Sequence, residues 1–247
     1  MRGYSSTFFQ RQSKTSLRSA KAVLPFVFDL LKPKSALDVG CGVGAWLAAA
    51  QETGCNSILG IDGEYVLDQN MLINKSEFLS LDISQAFNLN TKYDLVMSLE
   101  VGEHLPGKSA EIYVKNLTDH GDAILFSAAI PGQGGTHHIN EQWPEYWEKM
   151  FLKLNFVPFD IIREVIWNHK EIEICYKQNT ILYINQNNKS LIERLAEFKP
   201  TKVRSLVHPD LYDIKRHLIE VRNKELKLKN RNIFRKITDR LGVTQRK

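Results

Sequence analysis

A glycine-rich turn after a short apolar run constrains the fold of this chain more than any other feature of its sequence. Residues 35–39 form the run, and a helical pattern over 45–53 follows. Three glycines stand between them: Gly40, Gly42 and Gly44. Glycines let a backbone approach a ligand closely, and the N-terminus of the next helix offers free N–H groups. The segment therefore predicts a strand, a ligand-binding turn and a helix.

Apolar strand patterns and helical patterns alternate along the rest of the chain. Seven runs have the length and composition of strands, at 35–39, 57–62, 78–82, 93–100, 122–130, 156–163 and 180–185. Near-continuous apolar strands that alternate with helices are typical of a parallel sheet covered by helices on both faces. The predicted fold class is therefore α/β, with a Rossmann-like sheet of seven strands.

Both ends of the chain differ from this central region. Residues 1–20 are polar and predict a loop or lid, and a helix is predicted over 18–31. From residue 189 onward the sequence is polar and helical. We therefore divide the chain into an N-terminal lid and helix (1–34), a central domain (35–188) and a basic helical C-terminal extension (189–247).

The formal net charge of +5 is concentrated at the C-terminal end. Residues 199–247 hold 15 Lys and Arg against 5 Asp and Glu, whereas residues 1–198 hold 18 against 23. Such a tail can contact an anionic membrane, an acidic protein or nucleic acid, or it can be a solvated surface. Four apolar residues share one face of a predicted helix in this tail: Ile233, Phe234, Ile237 and Leu241. That face suits a membrane, a partner protein or the chain's own domain.

Composition excludes several classes of protein. The cysteines Cys41, Cys55 and Cys175 have neither the number nor the spacing of a disulfide scaffold or a zinc finger. No apolar run approaches the roughly 18 residues that a transmembrane helix needs. The N-terminal residues lack the apolar core of a secretory signal. We therefore expect a cytoplasmic protein, and a membrane contact through the tail is one of the alternatives given above.

Acidic residues stand near the ends of the first three predicted strands. Asp38 precedes Gly40 by two residues, a poor place for a charge if a pyrophosphate is to bind. Asp62 ends the second strand, where a carboxylate can accept both ribose hydroxyls of a nucleoside. Asp82 follows the third strand, where a carboxylate can take an adenine amino group. These residues predict a nucleoside pocket at the carboxyl ends of the strands. A nicotinamide-dependent enzyme is the alternative, since the turn also loosely fits a dinucleotide pattern.

Four segments, in this order, resemble the motifs of class I S-adenosylmethionine-dependent methyltransferases: ALDVGCGVGAWL, GID, the Leu-Asp after the third strand, and YDLVMSLEV. The resemblance covers about residues 35–185. It implies a seven-stranded sheet whose last strand is antiparallel and inserted beside the fifth. It also implies S-adenosylmethionine as cofactor, bound by Asp38, Gly40, Gly42, Gly44, Asp62, Asp82, Ile83 and Leu99. In that set the glycines line the methionine and ribose, and the three acids bind its amino group, ribose and adenine in turn.

A second polar group, Glu100, Glu103 and His104, follows the fourth strand directly. If this segment is helical, the three side chains share one face. Two carboxylates and an imidazole at one place are ligands that suit a divalent cation. A hydrogen bond between Glu103 and His104 that orients the loop without any metal is the alternative.

The ExxEH pattern of these residues is similar to that of ubiquinone-pathway O-methyltransferases and small-RNA 2′-O-methyltransferases. In both groups it is associated with a divalent metal beside the acceptor hydroxyl, and the RNA group adds one downstream histidine. We favour His138 over His137 as that histidine. The expected metal ligands for Mg²⁺ or Mn²⁺ are then Glu100, Glu103, His104 and His138. Glu103, His104 and His138 are also the expected catalytic residues, with either histidine as general base if no metal binds.

The patterns HxNEQWPxYW and, later, YxQN resemble a set of bacterial and viral methyltransferases associated with surface-glycan, capsule or lipopolysaccharide clusters. The resemblance implies methyl transfer to a hydroxyl of a surface-glycan sugar or its phosphorylated decoration. Four residues are expected to contact this acceptor: His137, Asn140, Glu141 and Trp143. Trp147 and Phe151, at helical spacing, are expected in the core.

Two other functions stay open from the sequence. An RNA 2′-O-methyltransferase shares the ExxEH likeness, but nucleic acid is not expected as a partner because residues 1–198 are acidic overall. A non-catalytic module that binds a nucleoside or a partner could use the same fold. The glycine turn, Asp62 and the ExxEH pattern together argue against it.

Overall fold

We describe the chain from a computed structural model that covers residues 6–67 and 69–240, without the side chains of residues 6–12, 232 and 234–240. The chain divides into two compact units, and the boundary lies between Leu206 and Val207. The first unit extends past the boundary expected after residue 188, because Leu195 and Val203 are both buried.

The first unit is built on one seven-stranded sheet. Its strands are β1 (Ser35–Val39), β2 (Ser57–Asp62), β3 (Phe78–Ser80), β4 (Leu95–Leu99), β5 (Ala123–Ser127), β6 (Phe156–Phe159) and β7 (Ile181–Asn185). Their order is β3-β2-β1-β4-β5-β7-β6, and only β7 runs antiparallel to its neighbours. The predicted α/β class, the seven strands and the antiparallel strand beside the fifth are therefore confirmed.

Helices cover both faces of this sheet. They are α1 (Ser6–Leu31), α2 (Ala45–Glu52), α3 (Ala110–Asp119), α4 (Pro144–Lys153), α5 (Ile162–Ile166), α6 (Ile174–Asn179) and α7 (Lys189–Arg194). Alternate residues of β4 enter different cores: Leu95 and Met97 pack with α1 and α2, whereas Val96 packs with α3 and α4. Trp147 and Phe151 are buried in that second core, as predicted.

Helix α1 begins at Ser6, so the loop or lid predicted for residues 1–20 is wrong over the described part of that range. Its polar residues, such as Lys14 and Arg18, have straight side chains that lose little freedom in a helix. Polarity alone therefore does not end a helix. Ser19 and Ala20 are fully buried against the domain, so packing holds this part of α1 in place.

The sixth strand is shorter than the predicted run of 156–163, because the chain leaves the sheet after Phe159. Arg163, expected in the strand, lies in α5 and is almost completely buried. Its guanidinium pairs with Asp160 and donates to the backbone carbonyl of Gln178, 3.2 Å away. These contacts stabilise a turn and a helix where the apolar pattern suggested a strand.

The second unit contains the helix α8 (Pro209–Arg240). Of the predicted apolar face in the tail, Ile233 is 47% exposed. The side chains of Phe234 and Ile237 and all of Leu241 lie outside the described residues. Among the helices that the structure describes, none has the length and apolarity needed to cross a membrane.

Candidate active site

The carboxyl ends of β1 and β4 bring the two predicted sites side by side. These strands are hydrogen-bonded neighbours in the sheet, with Asp38 opposite Met97. The glycine turn follows β1, and Glu100 follows β4. In open α/β sheets ligands bind in the crevice at such strand ends. The two groups of residues singled out in the sequence therefore share one crevice.

The glycine turn needs glycine at its two ends for steric reasons. Gly40 and Gly44 have φ values of 86° and 84°, which other residues adopt at a cost. A Cβ at Gly40 would lie 2.5 Å from the side chain of Val101, and one at Gly44 would lie 2.8 Å from Ile73. The turn is thus closely packed from both sides and presents its backbone to the crevice.

A pocket of about 80 Å³ lies over this turn. Predicted cofactor residues form part of its wall: Asp38, Gly40, Gly42 and Leu99. Glu100 also lines it. The pocket thus lies where the sequence predicted one and is lined by four of the eight expected cofactor residues, whose roles stay a prediction.

Asp62 lies behind the turn and is held there by hydrogen bonds. One carboxylate oxygen accepts from the N–H of Gly42 at 2.8 Å, and the other accepts from the N–H of Gly63 at 2.7 Å and from the hydroxyl of Tyr65. Burial raises the pKa of Asp62 in spite of these bonds. A ribose bound to Asp62 would share its second oxygen with Tyr65.

Asp38 is an acid of the pocket wall whose pKa is strongly shifted. Burial, and then the nearby Asp62, raise its pKa to about 8. An isolated carboxylate is costly to bury, and a cation beside it removes that cost. The pocket therefore favours a ligand that places a positive group, such as an ammonium, next to Asp38.

Asp82 and Ile83 are placed further along the sheet edge, after β3, and are not among the residues that line this pocket. Asp82 is exposed, and hydrogen bonds from Ser84 lower its pKa. One oxygen of Asp82 accepts from the hydroxyl of Ser84 at 2.6 Å. The adenine role expected for Asp82 stays a prediction.

The pocket wall also contains residues that were not predicted, among them Ser13 and Ser16 of α1 and Tyr176 of α6. The hydroxyls of Ser16 and Tyr176 are 3.0 Å apart, and the ring of Trp46 stands edge-on to that of Tyr176. Tyr176 begins the YxQN pattern, which was a signal for it. The two serines left no signal, because their helix was not predicted to begin so early.

Glu100 does not lie on the common helical face with Glu103 and His104 that the sequence suggested. Its φ of 58° is left-handed, and the 3₁₀ turn begins only at Gly102, so the predicted common helical face with Glu103 is wrong. The two carboxylate oxygens accept hydrogen bonds from the amides of Gln133, at 2.7 Å, and Asn179, at 3.0 Å. Both partners come from loops or helices far along the chain.

Glu103, His104 and His138 do come together, and we call them the Glu103–His104–His138 cluster. One potential ligand atom from each lies within 4.8 Å of the others. The rings of His104 and His138 are perpendicular, with centroids 4.8 Å apart, and Nε2 of His138 is 3.9 Å from a carboxylate oxygen of Glu103. Glu100 is not a member of this cluster.

The cluster contains polar atoms with unused bonding capacity. Both carboxylate oxygens of Glu103 and Nδ1 of His104 are buried and have no hydrogen-bond partner among the described residues. Burial, and then repulsion from Glu100, raise the pKa of Glu103 well above its usual range. Burial and the neighbouring His138 lower the pKa of His104 to about 4, so its ring is neutral at physiological pH.

One carboxylate and two imidazoles fit a divalent transition metal or Mn²⁺. A cation would pair with the orphaned oxygens of Glu103 and with the nitrogen lone pairs of His104 and His138. Buried polar atoms are seldom left unsatisfied without such a reason. Three of the four predicted metal ligands therefore lie close enough together to bind one cation, and Glu100 does not.

The four residues expected to contact an acceptor are placed differently from one another. Trp143 is 42% exposed and His137 is exposed with a left-handed φ of 61°. Asn140 is buried, and its side-chain oxygen accepts from Gln142 at 3.0 Å. Glu141 is turned back toward the loop and hydrogen-bonds Nδ1 of His138 at 2.9 Å. Of the four, His137 and Trp143 have the exposure that a substrate contact needs.

Comparisons with known proteins agree with this fold. A family model described as a methyltransferase domain matches residues 9–120. A candidate O-methyltransferase from Nostoc punctiforme PCC 73102 has a similar structure, with a TM-score of 0.52 and 13% identity over 72% of this chain and 59% of that one. An O-methyltransferase family protein from Burkholderia thailandensis gives 0.50 and 12%, over 73% and 57%. No curated protein matches the sequence.

The chain spans less than two thirds of the length of these two proteins, 59% and 57%. At such low identity the likeness concerns the fold alone. The strand order β3-β2-β1-β4-β5-β7-β6, with β7 antiparallel, is the order expected from the sequence resemblance. The sheet thus has the class I methyltransferase fold, and residues 9–120 match the model of a methyltransferase domain.

Proposed function

We propose that this chain transfers the methyl group of S-adenosylmethionine to a hydroxyl of a surface-glycan sugar or of its phosphorylated decoration. The observation that carries the proposal is the meeting of two sites at neighbouring strand ends. The glycine-turn pocket follows β1, and the Glu103–His104–His138 cluster is formed by the segments that follow the adjacent β4 and the next strand, β5. The pocket suits binding of the methyl donor, and the cluster suits deprotonation of an acceptor.

The donor needs little chemical help, because its sulfonium already activates the methyl group. The domain has to hold the cofactor so that the methyl faces the acceptor oxygen in line. Asp38 and the N–H groups of the glycine turn would bind the methionine part. Asp62, which already accepts two backbone hydrogen bonds, would bind the ribose. These roles account for the acids that the pocket buries.

The acceptor hydroxyl does need help, since its pKa lies far above 7. The neutral ring of His104 and Nε2 of His138 both stand where they could accept its proton. Glu103, which is buried beside His138, would stabilise the resulting imidazolium. A divalent cation bound by the same three residues would instead supply a Lewis acid that lowers the pKa of the hydroxyl. Both schemes favour oxygen as the methylated atom.

The choice of a sugar rests on the surface beside the cluster. Trp143 presents an aromatic face that can stack on the C–H groups of a sugar ring. The pattern HxNEQWPxYW, in which it lies, resembles that of glycan-modifying methyltransferases. The acidic charge of residues 1–198 disfavours a nucleic-acid acceptor.

The test is a methyl-transfer assay with labelled S-adenosylmethionine against nucleotide sugars, capsule fragments and a short RNA. We expect labelled glycan and unlabelled RNA, with activity lost on chelation and restored by Mn²⁺. His138→Gln and Glu103→Gln should lower turnover by about 10²-fold or more while cofactor affinity stays near wild type. Glu193→Gln, an exposed carboxylate, is the matched control. Labelled RNA would overturn the proposal of a glycan acceptor. A rate unchanged by chelation would overturn the proposed metal site and leave the histidines as general bases.

A further inference from the structure

Glu141 is fully engaged in a short loop beside the Glu103–His104–His138 cluster. Its two carboxylate oxygens accept from the N–H of Gly132 at 2.7 Å and the N–H of Gly134 at 2.6 Å. The oxygen bonded to Gly134 also lies 2.9 Å from Nδ1 of His138. Three of the roughly four acceptor positions of this carboxylate are therefore used within the protein.

The glycines of this loop make the arrangement possible. Gly132 and Gly134 have φ values of 83° and 69°, so both positions favour glycine. A Cβ on the next residue, Gly135, would lie 2.2 Å from Nε2 of His138. The loop thus directs two N–H groups at Glu141 and leaves room for the imidazole ring beside it.

The hydrogen bond to Glu141 decides which nitrogen of His138 carries the proton. A carboxylate only accepts hydrogen bonds, so Nδ1 of His138 has to be the donor. In the neutral ring Nε2 then carries the lone pair. That nitrogen is the one that faces Glu103, at 3.9 Å. The lone pair is therefore presented to the place where a proton or a cation would be bound.

We propose that Glu141 is a positioning residue, which the loop of residues 132–135 holds so that it fixes the ring and the tautomer of His138. The proposal rests on the proposed function for its purpose, but the tautomer itself is independent of any acceptor. Groups that orient a metal-binding or basic histidine in this way typically change affinity or activity by about 10- to 100-fold when they are removed. Glu141 then positions His138 instead of contacting the acceptor, the role expected from its sequence pattern.

The test is nitrogen NMR of the full chain labelled at its histidines, at a pH where the ring of His138 is neutral. Comparison with His138→Gln assigns the signal among the 7 histidines. We expect the Nδ1–H tautomer in the wild type and a shift toward Nε2–H in Glu141→Gln. Binding of Mn²⁺, measured by calorimetry, should weaken by about 10- to 100-fold in the same variant. Glu193→Gln should change neither.

The outcomes separate this proposal from the proposed function. An Nε2–H tautomer in the wild type overturns the positioning role, with no variant needed. An unchanged tautomer in a folded Glu141→Gln also overturns it. The expected tautomers in a protein that transfers no methyl group to any acceptor would support the positioning role and overturn the proposed function alone.

Discussion

Asp38 and Asp62 are buried on either side of the glycine turn, and each makes the other harder to ionise. Two such acids without a bound cation lower the stability of the folded chain. A ligand with an ammonium group would relieve the strain at Asp38, and ribose hydroxyls would use the oxygens of Asp62. The two acids thus lower the stability of the free protein, and a bound ligand would offset that cost.

This account predicts a pH dependence of stability. The folded-state pKa of Asp38 is about 8, against 3.8 in an unfolded chain, so the folded state holds the proton more tightly. The free energy of unfolding should therefore fall as pH rises from near 4 toward 8, by on the order of 5 kcal/mol through this group. Asp38→Asn should remove that part of the fall in urea titrations. Asp29→Asn changes an exposed carboxylate and should leave the pH dependence of the unfolding free energy unchanged. The same pH dependence in the wild type and in Asp38→Asn would contradict the account.

The sequence is a good guide to some residues of the site and a poor one to others. Asp38 lies near the end of β1 and Gly40 and Gly42 follow that strand, so local chain geometry places all three. Glu100 is different, because amides from residues 133 and 179 decide where its carboxylate points. Such long-range contacts leave no periodic pattern. By contrast, the spacing of three between His138 and Glu141 is local and was visible in the sequence.

At the scale of elements, the strands were predictable and the ends of helices were not. The apolar runs fix β1, β2 and β4 because a strand buried on both faces has to be apolar along its length. Helix α1 begins earlier than predicted, because its contacts with the domain, rather than its composition, determine its extent. The missed first turns of α1 explain why Ser13 and Ser16 were not predicted in the pocket.

The glycine turn allows a matched comparison of two substitutions. Gly40→Ala would put a Cβ 2.5 Å from Val101 at a φ of 86°, whereas Gly42→Ala, at 51°, meets nothing within 4 Å. We expect Gly40→Ala to lose at least about 2 kcal/mol of unfolding free energy and Gly42→Ala about 1 kcal/mol. Urea titration measures both. Equal losses would show that the packing of Val101 against the turn is not what requires glycine at position 40.

At the scale of the whole molecule, the residues assigned to the site and the basic helix α8 lie in different units of the chain. Every residue assigned to the cofactor or to the Glu103–His104–His138 cluster lies before Leu206, where the first unit ends. The basic helix α8 lies in the second unit and exposes apolar side chains such as Ile219 and Leu226. We propose that α8 contacts an anionic membrane or a partner protein, and that it takes no part in binding the cofactor.

The central claim is that the pocket after β1 binds S-adenosylmethionine, and calorimetry with S-adenosylhomocysteine tests it most directly. The account predicts saturable binding at one site by the full chain, and no binding of NAD. Asp62→Asn should weaken that binding by about 10-fold or more, since a charged hydrogen bond contributes roughly 1.5–3 kcal/mol. Binding of NAD instead, or an unchanged affinity in a folded Asp62→Asn, would contradict the claim.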